Sequence, residues 1–366
     1  MDPKVFLMDY KRRRERVFRA VEERGLDGAI FISPENIFYF TGAPFVKGSV
    51  GKILYFDRGG TASIIVTDLD YQEVLDFVDD DSVEIIKTEF GERPSERLKK
   101  IAGRKIGFEE QQVSYSLYDY LRKDLELKPL DGLAEKMREI KDGEELRRME
   151  EAQSITERAL EEALQSLVGG MTEAEIASEV ERRMRVLGAE SYAFESIVAS
   201  GERAVYPHGK PTRKRTEEGE SVILDLGSRV EGYCSDMTRT LFVGRPKKVL
   251  RDVYDAVAQA QDEAIKAAKE GITGKELDGV ARGILKEFGY ERYFGHGLGH
   301  GVGIDVHESP SVSPRGEAKL AEGNVVTIEP GVYIPGTGGV RIEDMVVIMK
   351  GGSRNLTNFS KQIIEI

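Results

Sequence analysis

Short apolar runs punctuate the first third of the chain: Ala29-Ile30-Phe31-Ile32, Ile53-Leu54-Tyr55-Phe56, and Ala62-Ser63-Ile64-Ile65-Val66 after Gly59-Gly60. Runs of this length between turn residues predict strands, and Lys105-Ile106-Gly107-Phe108-Glu109 predicts another. Helical spacing lies between and before them, including a helix over Tyr115 to Leu125. The pattern is that of an α/β domain over residues 1–131. Beyond it Met137, Ile140, Leu146, Met149 and Ile155 recur at an approximately helical interval, which predicts one charged helix from about Gly132 through Leu167. That change of period places the domain boundary at its start, with residues 132–366 forming a second domain.

The second domain contains an internal echo. Gly170-Met171-Thr172-Glu173-Ala174-Glu175-Ile176 matches Gly271-Ile272-Thr273-Gly274-Lys275-Glu276-Leu277 at an offset of 101 residues. Each copy carries Thr followed three residues later by Glu, which is a capping box opening a helix, and each helix ends toward a glycine, Gly188 or Gly289. After each come a histidine and two acids: His208, Asp225 and Asp236 in one half, His307, Glu329 and Glu343 in the other. A duplicated half-domain explains this order most simply. Two such halves facing one another bring both acid pairs to a shared centre.

Each acid sits in or beside a strand-like run, as in Val222-Ile223-Leu224-Asp225 and Val325-Val326-Thr327-Ile328-Glu329. Ionised carboxylates buried together need more positive charge than the nearby basic residues supply. Divalent metal ions meet that need, and oxygen donors with one imidazole suit Mn, Co or Zn, two ions more readily than one. Asp225 and Asp236 flank a turn at Glu231-Gly232, so a hairpin would set them side by side. All four histidines of the chain, His208, His296, His300 and His307, lie in this domain. Gly295-His296-Gly297-Leu298-Gly299-His300-Gly301 is rich enough in glycine for its backbone to approach a ligand or metal closely, but lacks the Lys-Ser/Thr of a phosphate loop. Cys234 has no evident base partner and reads as a small packed residue.

Composition narrows the function classes. A formal net charge of −12 argues against a nucleic-acid partner. One cysteine leaves no intrachain disulfide and suits a reducing cytoplasm. Neither a signal-peptide core after Met1-Asp2-Pro3-Lys4 nor a run of 18 apolar residues is present, so no membrane association is expected.

Taken together, Asp225-Leu226-Gly227, Ser235-Asp236-Met237-Thr238-Arg239-Thr240, His296-Gly297-Leu298-Gly299-His300, Val306-His307-Glu308, Ile328-Glu329-Pro330-Gly331 and Arg341-Ile342-Glu343-Asp344 resemble the pita-bread metallopeptidases. The branch is that of creatinase, prolidase and aminopeptidase P, since Asn36-Ile37-Phe38-Tyr39-Phe40-Thr41-Gly42 is similar to a segment of its extra N-terminal domain. The resemblance implies a creatinase-like α/β domain followed by a pita-bread catalytic domain, mixed α/β in class. It implies that Asp225, Asp236, His300, Glu329 and Glu343 bind two metal ions, with Asp236 and Glu343 bridging. The expected activity is hydrolysis of the bond before a proline at the second position, through a hydroxide bridging the metals. Glu329 would shuttle the proton, His307 and His208 would stabilise the carbonyl oxygen and position the imide nitrogen, His296 would relay protons or touch substrate, and Arg341 would orient acids. A homodimer is also implied. Rival readings are creatinase-like C–N hydrolysis, which the complete ligand set disfavours, and a non-catalytic peptide-binding module. Many prolidases of the branch carry Arg after the Pro of a His-Glu-x-Pro segment; here Ser311 follows Pro310, with Arg315 nearby, leaving dipeptidase and aminopeptidase P activity both open.

Overall fold

A computed structural model describes residues 8–43, 51–78 and 80–366. The opening Met1-Asp2-Pro3-Lys4 stretch lies outside them. The chain divides into two compact units, Met1–Arg138 and Glu139–Ile366.

In the first unit β1 (Gly28–Phe31), β2 (Ile53–Asp57), β3 (Ala62–Val66), β4 (Val83–Lys87), β5 (Lys105–Phe108) and β6 (Glu126–Pro129) make one sheet in the order β4-β3-β2-β1-β5-β6. The two pairings around β2 are antiparallel and the other three parallel. Its helices are α1 (Tyr10–Glu23), α2 (Pro34–Thr41), α3 (Asp68–Phe77), α4 (Pro94–Ile101), α5 (Tyr115–Leu121) and α6 (Leu133–Arg138). The Asn36–Gly42 segment is thus α2, opened by Ser33, whose hydroxyl accepts from the Asn36 amide, and closed by Gly42 at φ 74°.

The single helix expected over 132–167 is two. Asp142 breaks it: its carboxylate accepts from the Glu144 and Glu145 amides, while Glu145 returns a bond to the Asp142 amide. That capping box starts α7 (Gly143–Leu164) afresh. On the other side of the break, α6 is held in the first unit by Tyr39, whose hydroxyl donates to the Met137 carbonyl, and by Asn36, which donates to Glu135 and accepts from Arg138.

The second unit repeats one design twice. α7 and α8 (Glu173–Val186) pack on β7 (Ser191–Tyr192), β8 (Ile197–Ser200), β9 (Ser221–Leu226), β10 (Ser228–Val230), β11 (Tyr233–Cys234) and β12 (Met237–Phe242), with Leu160, Val180, Leu224 and Leu241 in their shared core. α9 (Lys248–Ala267) and α10 (Gly274–Glu287) pack on β13 (Gly299–Gly301), β14 (Glu308–Val312), β15 (Val325–Ile328), β16 (Gly331–Ile334), β17 (Gly338–Arg341) and β18 (Asp344–Met349) around Val257, Leu285, Val326 and Val346. β19 (Gly352–Asn355) and β20 (Ile364–Glu365) edge the two sheets, β14-β13-β15-β18-β19 and β20-β12-β9-β8. Both echoed threonines cap their helices by the expected reciprocal bonds, and each also forms an isolated antiparallel bridge, Thr172 with Arg215 and Thr273 with Lys319. Among the described residues no helix is long and apolar enough to cross a membrane.

Candidate metal centre

Antiparallel pairing sets the acids. β9 runs against β12 with Asp225 opposite Thr238, and Asp236 immediately precedes β12. β15 runs against β18 with Ile328 opposite Asp344, so Glu329 follows one strand and Glu343 immediately precedes the other. The two halves therefore present their acids at equivalent strand ends. They meet directly: the Glu343 amide donates to the Thr238 carbonyl at 3.1 Å, and the Thr238 hydroxyl donates to Glu343 Oε2 at 2.6 Å. The turn between the first pair is the expected one. Glu231 and Gly232, at φ 43° and 80°, join β10 to β11 in the left-handed geometry a two-residue hairpin favours.

The glycine-rich stretch differs from expectation in what it approaches. A Cβ on Gly299 would lie 2.0 Å from the Thr327 carbonyl oxygen, and one on Gly301 2.2 Å from that of Ser309. The glycines thus let β13 close against its neighbouring strands, which in turn seats His300 beside the acids.

One cavity of about 440 Å³ is lined by every residue singled out above for chemistry: His208, Asp225, Asp236, His296, His300, His307, Glu329, Arg341 and Glu343. Within it, ligand atoms of Asp236, His300 and Glu343 all lie within 4.8 Å of one another. His300 Nδ1 is 3.0 Å from the Gly301 carbonyl oxygen, which can only accept, so Nδ1 carries the proton. Its Nε2 lone pair is then directed toward Glu329 Oε1 at 3.4 Å and Asp236 Oδ2 at 3.7 Å. The His307 ring lies 4.2 Å from that of His300, centroid to centroid. His208 occupies an exposed turn at the cavity wall.

The electrostatics of this cluster are unfavourable for the protein alone. Burial, then the neighbouring Glu343 and Asp225, pushes Asp236 well above the usual carboxylate range; burial, then Glu329, does the same to Glu343. Burial also lifts Glu329 to about 8 against the pull of Arg341. His300 falls to about 4 through burial and then His307, so its imidazole is neutral and free to ligate. Asp225 Oδ1 and Asp236 Oδ1 are both buried without a hydrogen-bond partner, a costly state for a carboxylate oxygen. Divalent cations would satisfy those oxygens and reverse the repulsion, so the donor set fits such ions.

A second network lies behind the acids. Arg341 donates to Asp225 Oδ2 at 2.6 Å, to Thr238 Oγ1, to the Pro207 carbonyl and to the Tyr333 hydroxyl at 2.9 Å. Tyr333 in turn lies 2.9 Å from His296 Nε2, and His296 Nδ1 lies 2.8 Å from the Gly297 carbonyl oxygen. Since that carbonyl requires the proton on Nδ1, Nε2 accepts from the tyrosine hydroxyl. Burial, then Arg341, lowers His296 to about 4, keeping it neutral. Tyr333 and Thr238 were not singled out from sequence. Thr238 was visible inside the Ser235–Thr240 motif; Tyr333 carried no signal beyond its place in an apolar strand. Cys234 is fully buried, with its thiol 3.3 Å from the Ile304 carbonyl. Ser311 lines the cavity and Arg315 does not.

Comparison with known proteins bears on both units. The family model described as metallopeptidase family M24 matches residues 147–350, and that of the creatinase/prolidase N-terminal domain matches residues 13–140. A Pyrococcus furiosus protein named Xaa-Pro dipeptidase is 38% identical over 97% of this chain and 100% of its own length. The crystal structure of the prolidase from Pyrococcus horikoshii OT3 superposes with a TM-score of 0.90 at 36% identity, covering 96% of this chain and 100% of that one. An X-Pro aminopeptidase from Thermotoga maritima MSB8 gives 0.88 at 37% identity, covering 97% and 99%.

Proposed function

The chain belongs to metallopeptidase family M24, and from that premise we propose that it is a dinuclear Xaa-Pro exopeptidase, releasing the first residue from peptides with proline at the second position. The observation that carries this reading is the convergence of Asp225, Asp236, His300, Glu329 and Glu343 on one cavity, with two of their oxygens buried and unpartnered. In this reading those five residues would hold two divalent ions, Mn, Co or Zn, and Asp236 and Glu343 would be the ligands common to both. When bound, such ions polarise the scissile carbonyl and make water a stronger acid.

The side chains supply the rest. Glu329 Oε1 takes a proton from the attacking water and returns it to the proline nitrogen as the bond breaks. His307 and His208, at the cavity wall, donate to the developing oxyanion and hold the imide in place. His296, with Nδ1 fixed on the Gly297 carbonyl and Nε2 on Tyr333, presents a ring of fixed orientation to the substrate. Arg341 orients Asp225 through its 2.6 Å bond.

A cavity of about 440 Å³ suits a short peptide. Its cationic side chains are Arg341, spent on four partners, and Lys210, which pairs with Glu195 at 2.6 Å on the same wall. Of the two, Lys210 is the one a dipeptide carboxylate can recruit, since its single partner is the solvent-exposed Glu195 whereas Arg341 is buried among its four. The reading also includes a homodimer and a cytoplasmic location, the latter supported by the single, buried Cys234. Assaying Xaa-Pro dipeptides, their amides and Xaa-Pro-Yaa peptides with Mn, Co and Zn tests it. Cleavage at the Xaa-Pro bond is expected in at least one class; none in any class sinks the reading.

A further inference from the structure

His296 is flanked by glycine on both sides, and so unconstrained a backbone cannot by itself aim an imidazole. Its conformation is imposed from α10. There Asp278 and Arg282 sit one turn apart, with Arg282 Nε donating to Asp278 Oδ2 at 2.6 Å and a terminal N–H to Oδ1 at 3.2 Å. The remaining guanidinium donors reach the loop, one to the Phe294 carbonyl at 2.9 Å and one to the His296 carbonyl. Asp278 Oδ1 also accepts from the Leu298 amide at 3.0 Å, and the guanidinium lies over the Phe294 ring at 4.2 Å. Alternate backbone groups at 294, 296 and 298 thus all end on one ion pair, of which Asp278 is 1% exposed. Neither member lines the cavity, so any effect on the reaction passes through the loop they hold, in which His296 is the side chain that reaches the cavity between their anchoring points at 294 and 298.

The other half holds its histidine loop by a different route to the same end. Glu173 of α8, fully buried, accepts from the amide and hydroxyl of both Ser200 and Thr212 and from Arg203 Nε, bracing the segment that carries His208. At the 101-residue offset, Asp278 and Arg282 correspond to Ala177 and Glu181. The brace on α10 is therefore not packing inherited by both repeats. Each half has built a buried acid with an arginine where a loop must deliver a histidine to the cavity.

We propose that Asp278 and Arg282 are positioning residues of the reaction, setting the aim of the His296 imidazole into the substrate cavity. The proposal rests on the exopeptidase reading for the substrate contact of His296, but the placement of the ring is measurable without it. Asp278→Asn and Arg282→Lys keep size while breaking the shared fork. Each should lower kcat/KM of the metal-loaded enzyme on an Xaa-Pro substrate on the order of tenfold. In a His296→Ala background the same changes should cost less than about twofold, whereas the loss in Tm should be equal in both backgrounds. Equal activity losses in both backgrounds, or none in either, would overturn the proposal. Independently of activity, the chain's four histidines give a simple imidazole 15N NMR spectrum, in which the His296 resonances should shift and broaden in both variants. Unchanged His296 resonances would overturn it equally. Wild-type protein that cleaves no Xaa-Pro peptide while these resonances still respond would instead fault the functional reading alone.

Discussion

Replacing Arg239 with Met should destabilise the second unit severely, because this one side chain ties β12 to β18, the strands that Asp236 and Glu343 immediately precede. Arg239 and its partner Asp344 are each 1% exposed and 2.8 Å apart. Its other donors reach the carbonyls of Thr238, Glu343, Phe359 and Ser360 at 2.7–3.0 Å, so all five N–H groups are used. Met approximates the volume and supplies none of them. Removing one partner of a buried pair costs about 3–5 kcal/mol, since the remaining charge is stranded. Lys361, 3.6 Å from Asp344 Oδ2 and 28% exposed, relieves part of that, which places the expected loss near the lower end, about 3 kcal/mol. Without tryptophan in the chain, native-state hydrogen exchange of metal-free protein, read on peptides spanning 237–242 and 344–349, is the suitable assay. R239M should lower protection there by that amount. Adding Asp344→Leu should recover at least about 1 kcal/mol by removing the stranded charge. A loss below about 1 kcal/mol for R239M, or additive losses in the double variant, would show that Asp344 is not left stranded when Arg239 is removed.

Three further outcomes are expected. Asp236→Ala and Glu343→Ala should each retain the fold by circular dichroism yet lose turnover and bind fewer metal equivalents; near-normal turnover in either would exclude its bridging role. Lys210→Gln should raise KM on the order of tenfold for a free Xaa-Pro dipeptide and leave the corresponding amide unchanged, reflecting loss of one charge-assisted bond; equal changes for both would remove Lys210 from carboxylate recognition. In the first unit, burial pushes Glu109 from 4.5 to about 7, so the folded state holds a proton that the unfolded state releases, and stability falls as pH rises from 4.5 through 7. That gap corresponds to about 3 kcal/mol, and exchange of the Ser33 amide, which donates to Glu109, should show it in wild type but not in Glu109→Gln; parallel pH profiles would contradict it.

Local chemistry made much of this molecule legible in advance. Strands announced themselves as apolar runs, the duplicated helices by their capping boxes at Thr172 and Thr273, and the clustering of the acids by their placement where a bare charge could not be buried. What stayed hidden depends on contacts between distant segments. Tyr333 matters because β16 and β17 bring it between Arg341 and His296, and no spacing along the chain encodes that. Asp278 and Arg282 look like an ordinary i, i+4 ion pair on a helix until the loop carbonyls appear beside them. Asp142 is the opposite case: its capping box was present in the sequence, but the surrounding helical periodicity concealed the break.

Whether two ions are needed for Xaa-Pro cleavage is measured by titrating chelator-treated, metal-free protein with Mn or Co while following release of the first residue. No cleavage is expected before metal is added, and full activity only as the second equivalent is bound. Full activity in the metal-free protein, or a complete plateau at one equivalent, would contradict a dinuclear centre.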